Sequence, residues 1–137
     1  MLRLAGTGAS LVNRKVYGGS PEMASECLFC KIVAGEIPTQ RVHEDEHVLA
    51  FRDIAPQAPT HILIIPRKHI SSINEATEED ETVLGRLLLT AKLLAASEGL
   101  AEDGYRLTIN TGDHGGQTVY HIHLHLLGGR QMRWPPG

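Results

Sequence analysis

Apolar and polar positions alternate most sharply near the C-terminal end, where residues 117–127 read Gln-Thr-Val-Tyr-His-Ile-His-Leu-His-Leu-Leu. Successive strand side chains point to opposite faces. The stretch therefore predicts a strand with His121, His123 and His125 on one face and Ile122, Leu124 and Leu126 on the other. Neighbouring imidazoles on that face would stand roughly 6.6 Å apart at strand rise. Such a row costs free energy to bury without partners. Three readings follow: a solvated face on an edge strand, a metal site, or nucleophilic catalysis in which one imidazole attacks and its neighbours orient it.

The rest of the chain supplies the elements around this strand. Residues 41–45 and 48–53 read as a hairpin turning at Asp45-Glu46-His47. A loop held by Pro56 and Pro59 follows. Thr60–Pro66, with the apolar run Ile62–Pro66, reads as a buried strand with His61 near its start and Pro66 at its end. Thr77, followed by Glu78, Glu79 and Asp80, reads as a helix cap with acids in the first turn. Leu84, Leu87, Leu88, Ala91, Leu94 and Ala95 then recur at helical spacing, and Gly99 is a stop. That leucine-rich face reads as core or as contact with a second copy. Residues 105–110 alternate again, and Asn110–Gln117 is a polar, glycine-rich loop whose N–H groups can approach a phosphate. Cys27–Val33 reads as a short helix or turn, stopped by Gly35 and Pro38. This order of elements predicts an α+β domain.

Composition narrows the picture. A chain of 137 residues suggests one domain with its own core. A net charge of −3 and a pI near 6.2 give no electrostatic case for nucleic-acid wrapping. No apolar run reaches the roughly 18 residues of a membrane span. Residues 1–24 differ: Arg3, Arg14 and Lys15 face a single acid, Glu22, and the apolar stretches are too short for a secretory signal. We expect an N-terminal extension over 1–24 (tag, leader or transit-like) and the folded domain over 25–137. The expected setting is cytoplasmic, or organellar if the extension is a transit peptide. Cys27 and Cys30, the only cysteines, make a poor disulfide framework. They fit a structural zinc site with two further ligands, a redox dithiol, or two small buried side chains. Asp53 is a turn residue or an acceptor for a ribose diol.

His121–Leu127 resembles the histidine triad signature, His-x-His-x-His-x-x with apolar x, at all seven positions. The similarity begins near Ser25 and runs on through Gly128–Met132 and Trp134-Pro135-Pro136-Gly137. That ending is similar to the Hint branch of the family, the nucleoside phosphoramidate hydrolases. The resemblance implies a mainly antiparallel sheet of about five strands, one long and one short helix, and a homodimer in which the long helices meet. It implies hydrolysis of purine nucleoside 5′-phosphoramidates and aminoacyl-adenylate-like compounds through a nucleotidyl-histidine. In that scheme His123 attacks phosphorus, held by the carbonyl of His121. His125, Gln117 and the N–H groups of the loop around Gly116, Thr118 and Val119 hold the phosphoryl oxygens. Thr118 stands where many relatives have serine and relays a proton to the leaving amine, and His61 helps order the triad. Asp53 takes the ribose, Ile54 the base, and Asn110 the ribose or phosphate. Trp134 lies in a tail that reaches towards the partner's site. No cofactor is needed for catalysis. In relatives with the cysteine pair a structural zinc is completed by two histidines, which makes Cys27, Cys30, His69 and His121 the implied ligands. The competing functions are dinucleoside polyphosphate hydrolysis or nucleotidyl transfer on the same fold, and a nucleotide-binding interaction protein with incidental activity.

Overall fold

The computed structural model describes residues 26–137. The expected extension over 1–24 lies outside the described residues. Helix α1 (Leu28–Val33) is capped by Cys27, whose Sγ accepts from the Cys30 N–H at 3.4 Å. Strands β1 (Arg41–Glu44) and β2 (Val48–Arg52) form the expected hairpin. Its turn is held by Asp45, whose Oδ1 accepts from the N–H groups of His47 and Val48. Strand β3 (Thr60–Pro66) and helix α2 (Glu81–Ser97) follow, then β4 (Tyr105–Ile109) and β5 (Leu124–Gly128). The five strands form one sheet in the order β1-β2-β3-β5-β4, and every neighbouring pair is antiparallel.

Both faces of the central strands are buried, which explains the unbroken apolar run Ile62–Pro66 within β3. Val48, Ala50, Ile62, Ile64, Leu124 and Leu126 pack towards α2 with Leu87, Ala91 and Leu94. Leu49, Phe51, Leu63 and Ile65 pack on the opposite face with Phe29 and Ile32 of α1. Each fully buried aliphatic side chain stabilises the fold by roughly 1.5–3 kcal/mol. The α2 face departs from its expected pattern at one position. Leu88 is 50% exposed, beside the outward Leu89 and Leu93, while Thr90 is buried against the sheet.

The strand expected over the histidine stretch is shorter than its alternation suggests. The ladder begins only at Leu124, opposite Ile64. Further along, its partner strand ends at Pro66, which has no N–H to continue the ladder. The chain before Leu124 bonds instead to the segment after β3. Ile122 N–H donates to the Ile70 carbonyl at 2.8 Å, and His121 Nε2 lies 2.8 Å from the Pro66 carbonyl. Alternation survives without the ladder, since Ile122 joins the α2 core. The rings of His121 and His123 meet Phe29 on the other face.

Candidate active site and metal centre

Hydrogen-bond partners fix where each imidazole proton sits. In the β3–β5 pair Leu63 faces His125 and His61 faces Leu127, so His61 and His125 are diagonal neighbours on the α1 face. The backbone N–H of Gln57, which can only donate, lies 3.0 Å from His61 Nδ1. His61 is therefore neutral with its proton on Nε2. That Nε2 lies 2.9 Å from His125 Nδ1, so His125 accepts there and carries its own proton on Nε2. His125 thus presents a donor at its free end.

His123 is held the opposite way. The His121 carbonyl, which can only accept, lies 2.8 Å from His123 Nδ1. The proton is on Nδ1, and Nε2 carries an unshared lone pair. The His123 and His125 rings are 5.0 Å apart, and Phe29 stands edge-on to His123 at 5.0 Å and 89°. Burial holds all three rings neutral. It pushes His123 below its ordinary 6.5, against the opposing hydrogen bond to His121. It pushes His125 to about 4, helped by the neighbouring His123 and His61, and it lowers His61 against the pull of Asp53.

Asp53 Oδ1 accepts from the Ala55 N–H at 2.8 Å, and its Oδ2 is 3.5 Å from His61 Nε2. Asp53, His61 and His125 lie within 4.8 Å of one another, as a metal site would require. A metal would need a lone pair on His61 Nε2, yet the Gln57 N–H places the proton there. We read this group as a hydrogen-bonded relay.

The loop before the triad is internally braced. Gln117 is buried: its Oε1 accepts from the Gly112 N–H at 2.9 Å, and its Nε2 donates to the carbonyls of Ser71 and Val119 at 2.8 and 3.2 Å. Its amide shapes the loop and is not available as the phosphate donor that the sequence suggested. Gly116 has a positive φ of 83°, and a Cβ on Gly115 would collide with the Thr111 carbonyl. The backbone N–H groups of Thr118 and Val119 make no hydrogen bond among the described residues, while the Val119 side chain packs beside Phe29. Thr118 is exposed, and Ile54 is 97% exposed. Asn110 and the 81%-exposed Trp134 line a cavity of about 850 Å³ along β4, with Arg106, Arg130 and Arg133. No triad histidine lines it, so Trp134 is not brought to the triad of its own chain.

The four implied metal ligands do meet. One ligand atom each from Cys27, Cys30, His69 and His121 lies within 4.8 Å of the others. His121 Nδ1 is 3.4 Å from Cys27 Sγ and 3.6 Å from Cys30 Sγ, and His69 Nδ1 is 3.2 Å from Cys30 Sγ. A tetrahedral zinc with bonds of about 2.3 Å to sulfur and about 2.0 Å to nitrogen spaces its ligands by about 3.5 Å, so the donor set fits. The His121 Nε2–H donates to the Pro66 carbonyl, which leaves the Nδ1 lone pair facing the thiols. Burial pushes His121 to about 4, which keeps it in the neutral, ligating form. His69 Nε2 is buried without a partner among the described residues. Sequence reasoning missed the hydrogen-bonding or packing parts played by Phe29, Pro66 and Gln57. All three act through backbone groups or ring packing, for which side-chain identity carries little signal.

Fold and site together define a buried cluster of hydrogen-bonded histidines on a five-stranded antiparallel sheet, beside a Cys₂His₂ cluster. The HIT domain family matches residues 34–132, and the chain belongs to that family. A HIT-like protein of Synechococcus elongatus is 59% identical over 115 residues, covering 84% of this chain and all of the relative. The purine nucleoside phosphoramidase of Escherichia coli K12 is 57% identical over 110 residues, covering 80% of this chain and 92% of the relative. The crystal structure of a HIT family hydrolase from Legionella pneumophila superposes with a TM-score of 0.80 at 64% identity, covering 81% of this chain and 99% of that one.

Proposed function

We propose that this chain hydrolyses the P–N bond of purine nucleoside 5′-phosphoramidates, adenosine derivatives and aminoacyl-adenylate-like compounds among them, to the nucleoside monophosphate. The observation that carries this is the opposed pair of tautomers: a lone pair on His123 Nε2 beside a donor on His125 Nε2. His123 Nε2 forms a bond to the α-phosphorus as the P–N bond to the amine breaks. The departing amine takes a proton relayed from solvent through the Thr118 hydroxyl, while neutral His125 only hydrogen-bonds the phosphoryl group. Water then attacks the nucleotidyl-histidine, gives up a proton along the same relay and frees His123. This splits one hard substitution into two easier ones. Charge on the phosphoryl oxygens meets His125 and the open N–H groups of Thr118 and Val119. This reading assigns the ribose to Asp53, the base to the exposed Ile54, and the ribose or phosphate to Asn110.

The step needs no cofactor in this reading. A zinc at Cys27, Cys30, His69 and His121 would be structural, fixing the segment whose carbonyl holds His123. The reading includes a homodimer, supported by the outward Leu88, Leu89 and Leu93 of α2 and by β4 at the end of the sheet. It also includes a cytoplasmic setting, where a thiol pair stays reduced. The relative from E. coli, named for this activity, adds support.

Incubation with an adenosine 5′-phosphoramidate tests the proposal. The wild type should release AMP, and His123→Ala should lose at least about 10³-fold in kcat while still binding AMP. Undiminished turnover in His123→Ala would overturn it.

A further inference from the structure

We propose that Arg130, at the root of the C-terminal tail, is a positioning residue for the triad. Its guanidinium holds the carbonyl of Gln57, so that the N–H of the same residue keeps His61, and through it His125, in the donor tautomer. The Arg130 Nη2 and Nε groups donate to the Gln57 carbonyl at 2.9 and 3.3 Å. The Gln57 N–H is the group 3.0 Å from His61 Nδ1. Gln57 sits in an exposed loop outside the sheet ladder. The other side-chain ties within that loop are local: Asp53 to the Ala55 N–H, and Gln57 Nε2 to the Ala55 carbonyl. Arg130 reaches in from 73 residues along the chain.

The chain is built to bring it there. Gly129 has φ of 95°, and a Cβ at that position would lie 2.8 Å from the ring of Pro59. Only glycine lets the backbone pass so close to this loop in that conformation. Arg130 then lies over Gln57.

The consequence follows from the tautomers. Without an N–H aimed at its Nδ1, His61 can move its proton from Nε2 to Nδ1. Nε2 would then present a lone pair to His125 Nδ1, which would have to carry the proton. His125 Nε2 would change from a donor to an acceptor, and the group facing the phosphoryl oxygens would have the wrong polarity. The catalytic part of this inference rests on the proposed function. The tautomer of His61 in the free protein does not.

Two readouts on wild type, Arg130→Ala and Arg130→Lys test it. The first is the ring ¹⁵N spectrum of labelled histidine in the substrate-free protein. Wild-type His61 should show a protonated Nε2 and a bare Nδ1, and Arg130→Ala a mixture of both tautomers. The second is turnover of an adenosine 5′-phosphoramidate. Arg130→Ala should lower kcat about 10-fold with KM within about twofold, because a charge-assisted hydrogen bond is lost away from the substrate. Arg130→Lys, whose ammonium can donate to the same carbonyl, should recover most of both. A wild-type ring pattern in Arg130→Ala would overturn the proposal. So would a raised KM with kcat unchanged, which would assign Arg130 to substrate binding. If the wild type fails to turn over the substrate, the proposed function falls, and the ring spectra alone decide the role of Arg130.

Discussion

His125 is pushed from 6.5 to about 4 by burial and then by its histidine neighbours, and burial lowers His61 and His123 in the same direction. In the unfolded chain each returns towards its ordinary value. The folded values lie below the unfolded ones, so below about pH 6.5 the unfolded chain binds more protons. Stability is then present above the unfolded value and lost as pH falls towards the folded one. Carboxylates titrate lower. Asp45, against the opposing pull of burial, is held at about 2 by hydrogen bonds from His43, His47 and Val48. Asp80 and Glu98 are lowered by Lys68 and Arg52 respectively. The window between pH 7 and pH 5 therefore reports the buried histidines. Urea unfolding followed by circular dichroism should give a lower midpoint at pH 5 than at pH 7. The difference should shrink in His125→Gln, and equal midpoints in wild type would contradict the buried-neutral assignment.

At the level of elements, the capped 3₁₀ turn Glu78–Asp80 that leads into α2 depends on one carboxylate. Asp80 is 3% exposed, accepts from the Thr77 N–H at 2.9 Å and pairs with Lys68 Nζ at 2.6 Å. Lys68 lies just beyond β3, so Asp80 joins the helix cap to the strand exit. Asp80→Ala leaves the Thr77 N–H unpaired and should cost about 1–2 kcal/mol in chemical denaturation. Asp80→Asn keeps an acceptor and should cost less; equal losses would show that the charge, not the cap, matters. This cap is legible in the sequence because Thr77 and the acids after it have local preferences. The sides taken by His121, His123 and His125 are legible for a similar reason: alternation encodes faces. It does not encode backbone pairing, so the start of the ladder at Leu124 was not readable. Nor was the commitment of Gln117, whose amide looks like a free donor until the loop closes around it. Leu88 fits the helical spacing of the core, yet the sheet meets α2 along Leu87, Ala91 and Leu94 and leaves it outside. The positions that set tautomers, Gln57 and Pro66, act through an amide and a carbonyl that every sequence carries.

Across the whole molecule, the Cys₂His₂ cluster ties together parts far apart in sequence. Cys27 at the head of α1 meets His121 across 94 residues, and Cys30 meets His69 across 39. A metal that binds the folded chain and not the unfolded one stabilises it by mass action, about 2.7 kcal/mol at a hundredfold excess over Kd. The cluster also borders the His123 ring, since the residue whose Nδ1 faces the thiols is the one whose carbonyl holds His123. Loss of metal should therefore lower Tm first and affect turnover only as the His121 segment loosens. We expect purified wild type to contain one zinc per chain, and Cys27→Ser to contain none. A strong chelator should lower the wild-type Tm by several degrees, consistent with a loss of about 1–3 kcal/mol, and leave that of Cys27→Ser unchanged. Chelated wild type, held well below its new Tm, should keep His123-dependent activity, because His123 is not among the four residues that would hold the metal. Stoichiometric zinc in Cys27→Ser would remove Cys27 from the ligand set. Activity abolished by chelation in a protein still folded by circular dichroism would instead place the metal in the reaction itself.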